Sequence, residues 1–302
     1  MDPLIIVFGL GVGILIGMTG IGGGSLMTPL LIIVAGIQPL VAIGTDLAYG
    51  AVTKTVGGYS HWRNGTVDFG ITGWLAAGAA PSSLLGVYLV GRLHDRYGDG
   101  FDDTLLLCVA GALAVVSLAI LVRALLMPRL VASERERVEL TPRVKARAVI
   151  IGLVLGFVLG FTSVGSGALI GLALILVFRL TPHRVVGTDV FLAAVLLWVA
   201  GLAHWASGNV DFGLMGNILV GSIPGVLIGT HLVTRVSPTA LRPALGCVLL
   251  GSALGVASKA GVDVPVAAII GAPLAAGLVS WLVLRERRQR VVPAPLATPE
   301  RA

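Results

Sequence analysis

The sequence predicts an all-α polytopic membrane protein, two inverted five-element repeats plus one extra C-terminal span. Three observations carry that expectation. Of 302 residues, 56% are hydrophobic and only 12% charged, with a mean hydropathy of +0.97, whereas soluble domains carry about 25% charged residues. The apolar residues form unbroken runs such as LLLCVAGALAVVSLAILV (Leu105–Val122), not the roughly ten-residue alternating segments of a β-barrel. And the chain matches itself at one ungapped offset of 143 positions: Gly44-Thr45-Asp46 with Gly187-Thr188-Asp189, His61-Trp62 with His204-Trp205, Val67-Asp68-Phe69-Gly70 with Val210-Asp211-Phe212-Gly213, and Pro81 with Pro224. Between positions 17 and 92, about 30 of 76 aligned pairs are identical; apolar composition alone does not produce shared Thr, Asp, His, Trp and Pro.

The elements follow in order. The first copy (1–127) carries apolar segments at 4–18, 25–36, 41–60, 67–91 and 104–126. A charged linker, PRLVASERERVELTPRVKAR (128–147), leads to the second copy (148–260), with segments at 146–161, 168–178, 185–206, 211–234 and 240–258. The remainder (261–302) holds a span at 264–284 and a basic tail. At 1.5 Å per residue, 4–18 and 25–36 reach only about 22 and 18 Å, short of a hydrocarbon core of about 30 Å. Each copy is therefore expected to begin with a hairpin of two half-helices, its glycine loop buried part-way across the bilayer; two tilted full spans are the other possibility. Five elements per copy is an odd number, so the copies would be inverted. Charge agrees. With the N-terminus outside and the C-terminus cytoplasmic, 17 of the 21 Lys and Arg lie inside and three (Arg92, Arg96, Lys259) outside, with Lys54 within a span.

The pI near 9.9 does not point to nucleic acid, because the basic residues sit in the linker, the tail and the loops flanking apolar spans. The opening MDPLIIVFGL lacks a positively charged n-region, so no cleaved signal peptide is expected. Cys108 and Cys247, each in an apolar span, read as packing residues. No cofactor motif and no metal-ligand set is expected.

Candidate site residues start at TGIGGGS (Thr19–Ser25) and its counterpart TSVGSGA (Thr162–Ala168). A dinucleotide fingerprint needs a strand before it and a P-loop needs Gly-Lys-Ser/Thr; neither is present. Unwound backbone at membrane depth must be buried or line a cavity, and helix N-termini there offer N–H groups to an anion. Close packing of small residues is the alternative. The expected substrate-binding set is Thr19, Gly22, Gly23, Gly24, Ser25, Thr45, Thr162, Gly165, Ser166, Gly167 and Thr188. In Gly-Thr-Asp, which opens the third segment of each copy, Thr and Asp can cap the helix; alternatively Thr45 and Thr188 donate to an anion, and Asp46 and Asp189 take up a coupled proton or sodium ion. Lys54 shares a helix face with Asp46 and Gly50. Its counterpart is Leu197, so it supplies charge on one side only, or snorkels to the cytoplasmic end. Trp62 and Trp205 read as interface anchors, Asp68 and Asp211 as caps.

GIGGGSLMTPLL followed by GTDLAYGAVTKTVGGYSHWRNGTVDF, with a weaker second copy, resembles the TauE/SafE family of sulfite exporters and related permeases over about 4–284. The resemblance implies a bacterial inner-membrane permease, set in the lipid bilayer, for a small sulfur-containing anion such as sulfite or an organosulfonate. Gly23 becomes Ser166 and Pro29 becomes Leu172 in the second copy, so one asymmetric central site is expected rather than two equal ones. A permease for another small organic anion, and a non-transporting subunit or channel, remain alternatives. An intramembrane hydrolase built on Ser166 and His204 is disfavoured because position 164 is Val where a Gly-x-Ser-Gly pattern needs glycine.

Overall fold

A computed structural model describes residues 3–19, 24–126, 135–232 and 238–290. Among the described residues the secondary structure is helical: α1 (Pro3–Thr19), α2 (Gly24–Ile33), α3 (Pro39–Arg63), α4 (Phe69–Tyr97), α5 (Asp102–Leu126), α6 (Pro142–Thr162), α7 (Ala168–Leu176), α8 (Pro182–Ala206), α9 (Phe212–Leu232), α10 (Pro238–Lys259) and α11 (Val266–Arg290), with a 3-10 turn at Gly98–Phe101. Six of them, α4, α5, α6, α8, α9 and α11, are long and apolar enough to cross a membrane. This is a polytopic helical membrane protein.

Helix starts follow local chemistry. Pro39 and Pro182 open α3 and α8 at the position where a missing N–H costs nothing. Asp68 caps α4 by accepting from Ile71 N at 3.2 Å, and Thr141 caps α6 by accepting from Val144 N at 3.4 Å. That last cap corrects one expectation. The first limb of the second copy is not a short half-helix: Thr141 and Pro142 start α6 within the charged linker, giving 21 residues, enough to cross. The apolar run alone missed its polar first turns. The second limbs are short, 10 residues in α2 and nine in α7.

Packing joins each half to the other. Gly9, Gly13 and Gly17 of α1 lie against Ile218, Ser222 and Val226 of α9, while Gly221, Gly225 and Gly229 of α9 lie against Ile6, Leu10 and Ile14 of α1. Both helices advance together, so the pair is parallel. α6 and α4 repeat the arrangement 143 positions away: Gly152, Gly156 and Gly160 meet Leu75, Ala79 and Ser83. A Cβ at Gly9 would stand 2.7 Å from the Ile218 carbonyl oxygen, and one at Gly86 2.7 Å from that of Phe157. Small residues every fourth position let backbones touch, the packing that substitutes for hydrophobic drive in lipid. α3 and α8 form the central pair and run antiparallel, with Gly44 at Asn209, Gly50 at Leu197, Gly57 at Val190 and Gly187 at Thr66. Outside this core, α5 packs on α10, where Ser117 Oγ donates to Gly246 O at 2.7 Å. Lys259 Nζ donates to the Ile32 carbonyl at the C-terminus of α2, where a cation complements the helix dipole.

Candidate functional site

The Gly-Thr-Asp triplets sit inside α3 and α8, not at their starts. α3 begins at Pro39 and α8 at Pro182, so neither Thr nor Asp of the triplet caps its own helix. Each residue has a separate task. The glycines allow close approach: a Cβ at Gly44 would strike the Asn209 carbonyl, and one at Gly187 the Thr66 side chain. The threonines tie the halves together. Thr45 Oγ1 accepts from Asp211 N and Thr188 Oγ1 from Asp68 N, both at 3.0 Å. Asp211 and Asp68 then cap the helices that follow, accepting from Leu214 N and Ile71 N. The aspartates are left to project into the buried interior.

Asp46 is wholly buried. Its Oδ2 accepts from Thr28 Oγ1 of α2 at 2.5 Å and from Ser163 Oγ at 2.8 Å. Ser163 ends α6 in the left-handed conformation, φ 61°. Thr162 Oγ1 donates to Val158 O at 2.7 Å and accepts from Val164 N. The chain then turns through Gly165 at φ 119° and Gly167 at φ 103°, conformations open to glycine, and restarts at Ala168. Ser163, Val164 and Ser166 are each at most 1% exposed, so this is helix-breaking backbone buried in protein. α7 then lies beside the start of α8, with Gly171 against Val185. The loop thus carries the chain from the Asp46 end of the α3–α8 pair toward the Asp189 end.

Given the α3–α8 register, Asp189 stands opposite the stretch around Gly57, roughly 18 Å along the axis from Asp46 at 1.5 Å per residue. The two aspartates do not converge on one point. Lys54 lies between them: Trp198 Nε1 donates to Thr55 Oγ1 at 2.8 Å, a bond between the same position of the two copies, so the centre of the pair is at Lys54 and its counterpart Leu197. Lys54 is 7% exposed and does not snorkel. Its Nζ has no hydrogen-bond partner among the described residues and is within electrostatic range of Asp189. Ser25 Oγ, Asp46 Oδ1 and Ser166 Oγ are likewise buried without a partner among the described residues, an arrangement native proteins keep mainly where a ligand, ion or water completes it.

Of the expected set, Gly22 and Gly23 lie outside the described residues, as does the side chain of Thr19; Gly24 opens α2. Two groups on Asp46, Thr28 and Ser163, are absent from the expected set. Their counterparts 143 positions away are Gly171 and Gly20, so pairs shared by both copies could not show them; the Ser and Thr in otherwise apolar or glycine-rich stretches were the remaining signal. Trp62 and Trp205 are more than half exposed, as interface anchors must be. His204 is buried, its Nε2 3.3 Å from Gly160 O.

A family model described as sulfite exporter TauE/SafE matches residues 5–256. The chain belongs to the TauE/SafE family. It is 40% identical over 256 residues to "Probable membrane transporter protein YjnA" of Bacillus subtilis (strain 168), covering 84% of this chain and 99% of that one. "Probable membrane transporter protein YdhB" of the same organism is 30% identical, covering 79% and 95%. A "Probable membrane transporter protein" of Xylella fastidiosa (strain 9a5c) is 28% identical, covering 78% and 87%. No solved structure matches the chain. As a TauE/SafE protein it is a multi-pass membrane transporter, not an enzyme.

Proposed function

We propose that this TauE/SafE protein is a secondary transporter of a small sulfur-containing oxyanion, sulfite or an organosulfonate, in the bacterial inner membrane with its N-terminus outside. The observation carrying this reading is that polar atoms of Ser25, Asp46, Lys54 and Ser166 are buried without a partner among the described residues, Ser166 lying in the buried helix break that precedes α7. A compact oxyanion offers several acceptor oxygens. Hydroxyls of Ser25 and Ser166, backbone N–H groups of the Gly165–Gly167 turn and the Lys54 ammonium are the complementary donors. Gly165 and Gly167 leave backbone accessible beside Thr162, Thr45 and Thr188 hold together the halves that frame the site, Asp46 and Asp189 serve coupling, and Thr19, Gly22, Gly23 and Gly24 are assigned to the site from the sequence alone.

The halves act as inverted repeats in this reading. The antiparallel register of α3 on α8, the parallel pairs α1–α9 and α4–α6, and their recurrence at one offset support it. Two equivalent halves of opposite sense give two states of similar energy, inward- and outward-facing, related by exchanging the halves.

The test is transport in proteoliposomes. Labelled sulfite or 2-hydroxyethanesulfonate should accumulate with saturation and counterflow, and Ser166→Leu should abolish uptake while the protein stays monodisperse in detergent. Failure of the wild type to move either anion, or normal uptake by Ser166→Leu, overturns the reading.

A further inference from the structure

The centre of the α3–α8 pair carries a charge that the duplication does not. Lys54 has Leu197 as its counterpart, and Leu197 packs against Gly50, one turn before Lys54 on α3. Among the described buried residues Lys54 is the one lysine or arginine, and Asp46, Asp68 and Asp189 are the carboxylates. Asp68 is committed to its cap and to Val138 N at 3.1 Å. Asp46 already accepts from two hydroxyls. Asp189 is the carboxylate whose field reaches Lys54; the helix register places it on the facing helix a few residues further along. The other buried titratable groups on elements touching α3 and α8 are Tyr49 and His204. His204 is held by Gly160 O and Asn209 near the opposite end of α8, and Tyr49 lies near Ser222 of α9. α2 and α7 contribute no titratable side chain.

Resting on the oxyanion reading, we infer that Lys54 is a single shared anion-binding cation with Asp189 as its resting counter-ion, and that a monovalent oxyanion replaces Asp189 on Lys54 as Asp189 takes up one proton. The charges balance. In the empty state the charge of the carboxylate balances that of the ammonium. When the anion arrives, the ammonium faces the anion and a proton from water on the loading side bonds to an Asp189 carboxyl oxygen. On the other side the anion leaves, the proton returns to water and the pair reforms. No uncompensated charge is left in the membrane interior at either stage. Anion and proton therefore travel together. One lysine suffices for both states because it sits at the centre of the pair, where exchanging the halves leaves it in place.

Two measurements on the full-length protein decide this. Lys54→Met and Asp189→Asn should each lower the melting temperature in detergent, and the double variant should lose less than the sum of the two; strict additivity overturns the pair. In proteoliposomes with an internal pH dye, 2-hydroxyethanesulfonate, whose charge is fixed, should enter with about one proton per anion, and Asp189→Asn should bring that ratio below about a tenth. Anion uptake without protons in the wild type, or an unchanged ratio in Asp189→Asn, overturns the inference but leaves the oxyanion reading standing. If the wild type moves neither this anion nor sulfite, the oxyanion reading falls and the replacement step falls with it, while the melting cycle still decides whether Lys54 and Asp189 pair.

Discussion

Asp46 and Asp189 occupy the same position of the same triplet in the two halves, yet their surroundings differ. Asp46 is surrounded by hydroxyls, from Thr28 and Ser163. Asp189 is within the field of an ammonium. The preceding glycine and threonine do identical work on both sides: close approach for Gly44 and Gly187, and acceptance of a backbone N–H by Thr45 and Thr188. Scaffold roles have stayed symmetric because each half supplies the other's partner, so a change on one side costs stability at once. The groups facing the interior are not matched in this two-way fashion: Ser163 of the second half donates to Asp46, whereas its counterpart is Gly20, and there the halves differ.

The sharpest way to break the comparison is to remove the divergence. Lys54→Leu gives the first half the residue of the second, and is expected to cut anion uptake at least roughly a hundredfold, the scale of a lost charge-assisted contact. Uptake kinetics in proteoliposomes check this, and retention of the gel-filtration profile shows that the loss is not unfolding. Next in size are the glycine contacts. Gly13→Ala and Gly156→Ala, equivalent sites in the α1–α9 and α4–α6 pairs, should each cost about 1–3 kcal/mol, read from detergent unfolding. Because both methyls collide with backbone, the two losses should be alike.

Smaller effects sharpen the comparison at the threonine ties. Thr45→Val should cost about 0.5–1.5 kcal/mol. Thr188→Val should cost less, because the turn it holds has further support from Val138 N on Asp68 and from Arg184 on Val67 O. Equal losses in unfolding experiments would show that the linker contacts add nothing. Smallest is Glu136→Gln, which removes an exposed partner of His183 and Arg184; a change within about 0.5 kcal/mol is expected, shrinking further in high salt.

Hydropathy made the long elements legible because a span needs about 20 apolar residues whatever packs against it. The segments 185–206 and 240–258 fall within three residues of α8 and α10. What hydropathy could not supply was helix starts in polar sequence, hence the shortened reading of α6. It also hid the packing faces, because lipid is as apolar as the core. The stripes Gly9-Gly13-Gly17 and Gly221-Gly225-Gly229 are plain in the sequence, but only their partners' register gives them meaning. For the site, the duplication marked Thr45, Asp46, Thr188 and Asp189 and was blind to Thr28 and Ser163, which occur once.

The parallel glycine pairs also bear on how the protein is made. α1 finds its partner about 200 residues later, in α9. During synthesis the first half therefore enters the bilayer with a glycine-lined face open, and no described contact within that half covers it. Assembly must await nearly the whole chain, after which α1 and α6 close on opposite partners. Two separately expressed halves should thus be rapidly degraded alone and survive together, the behaviour of an intertwined dimer fused into one polypeptide.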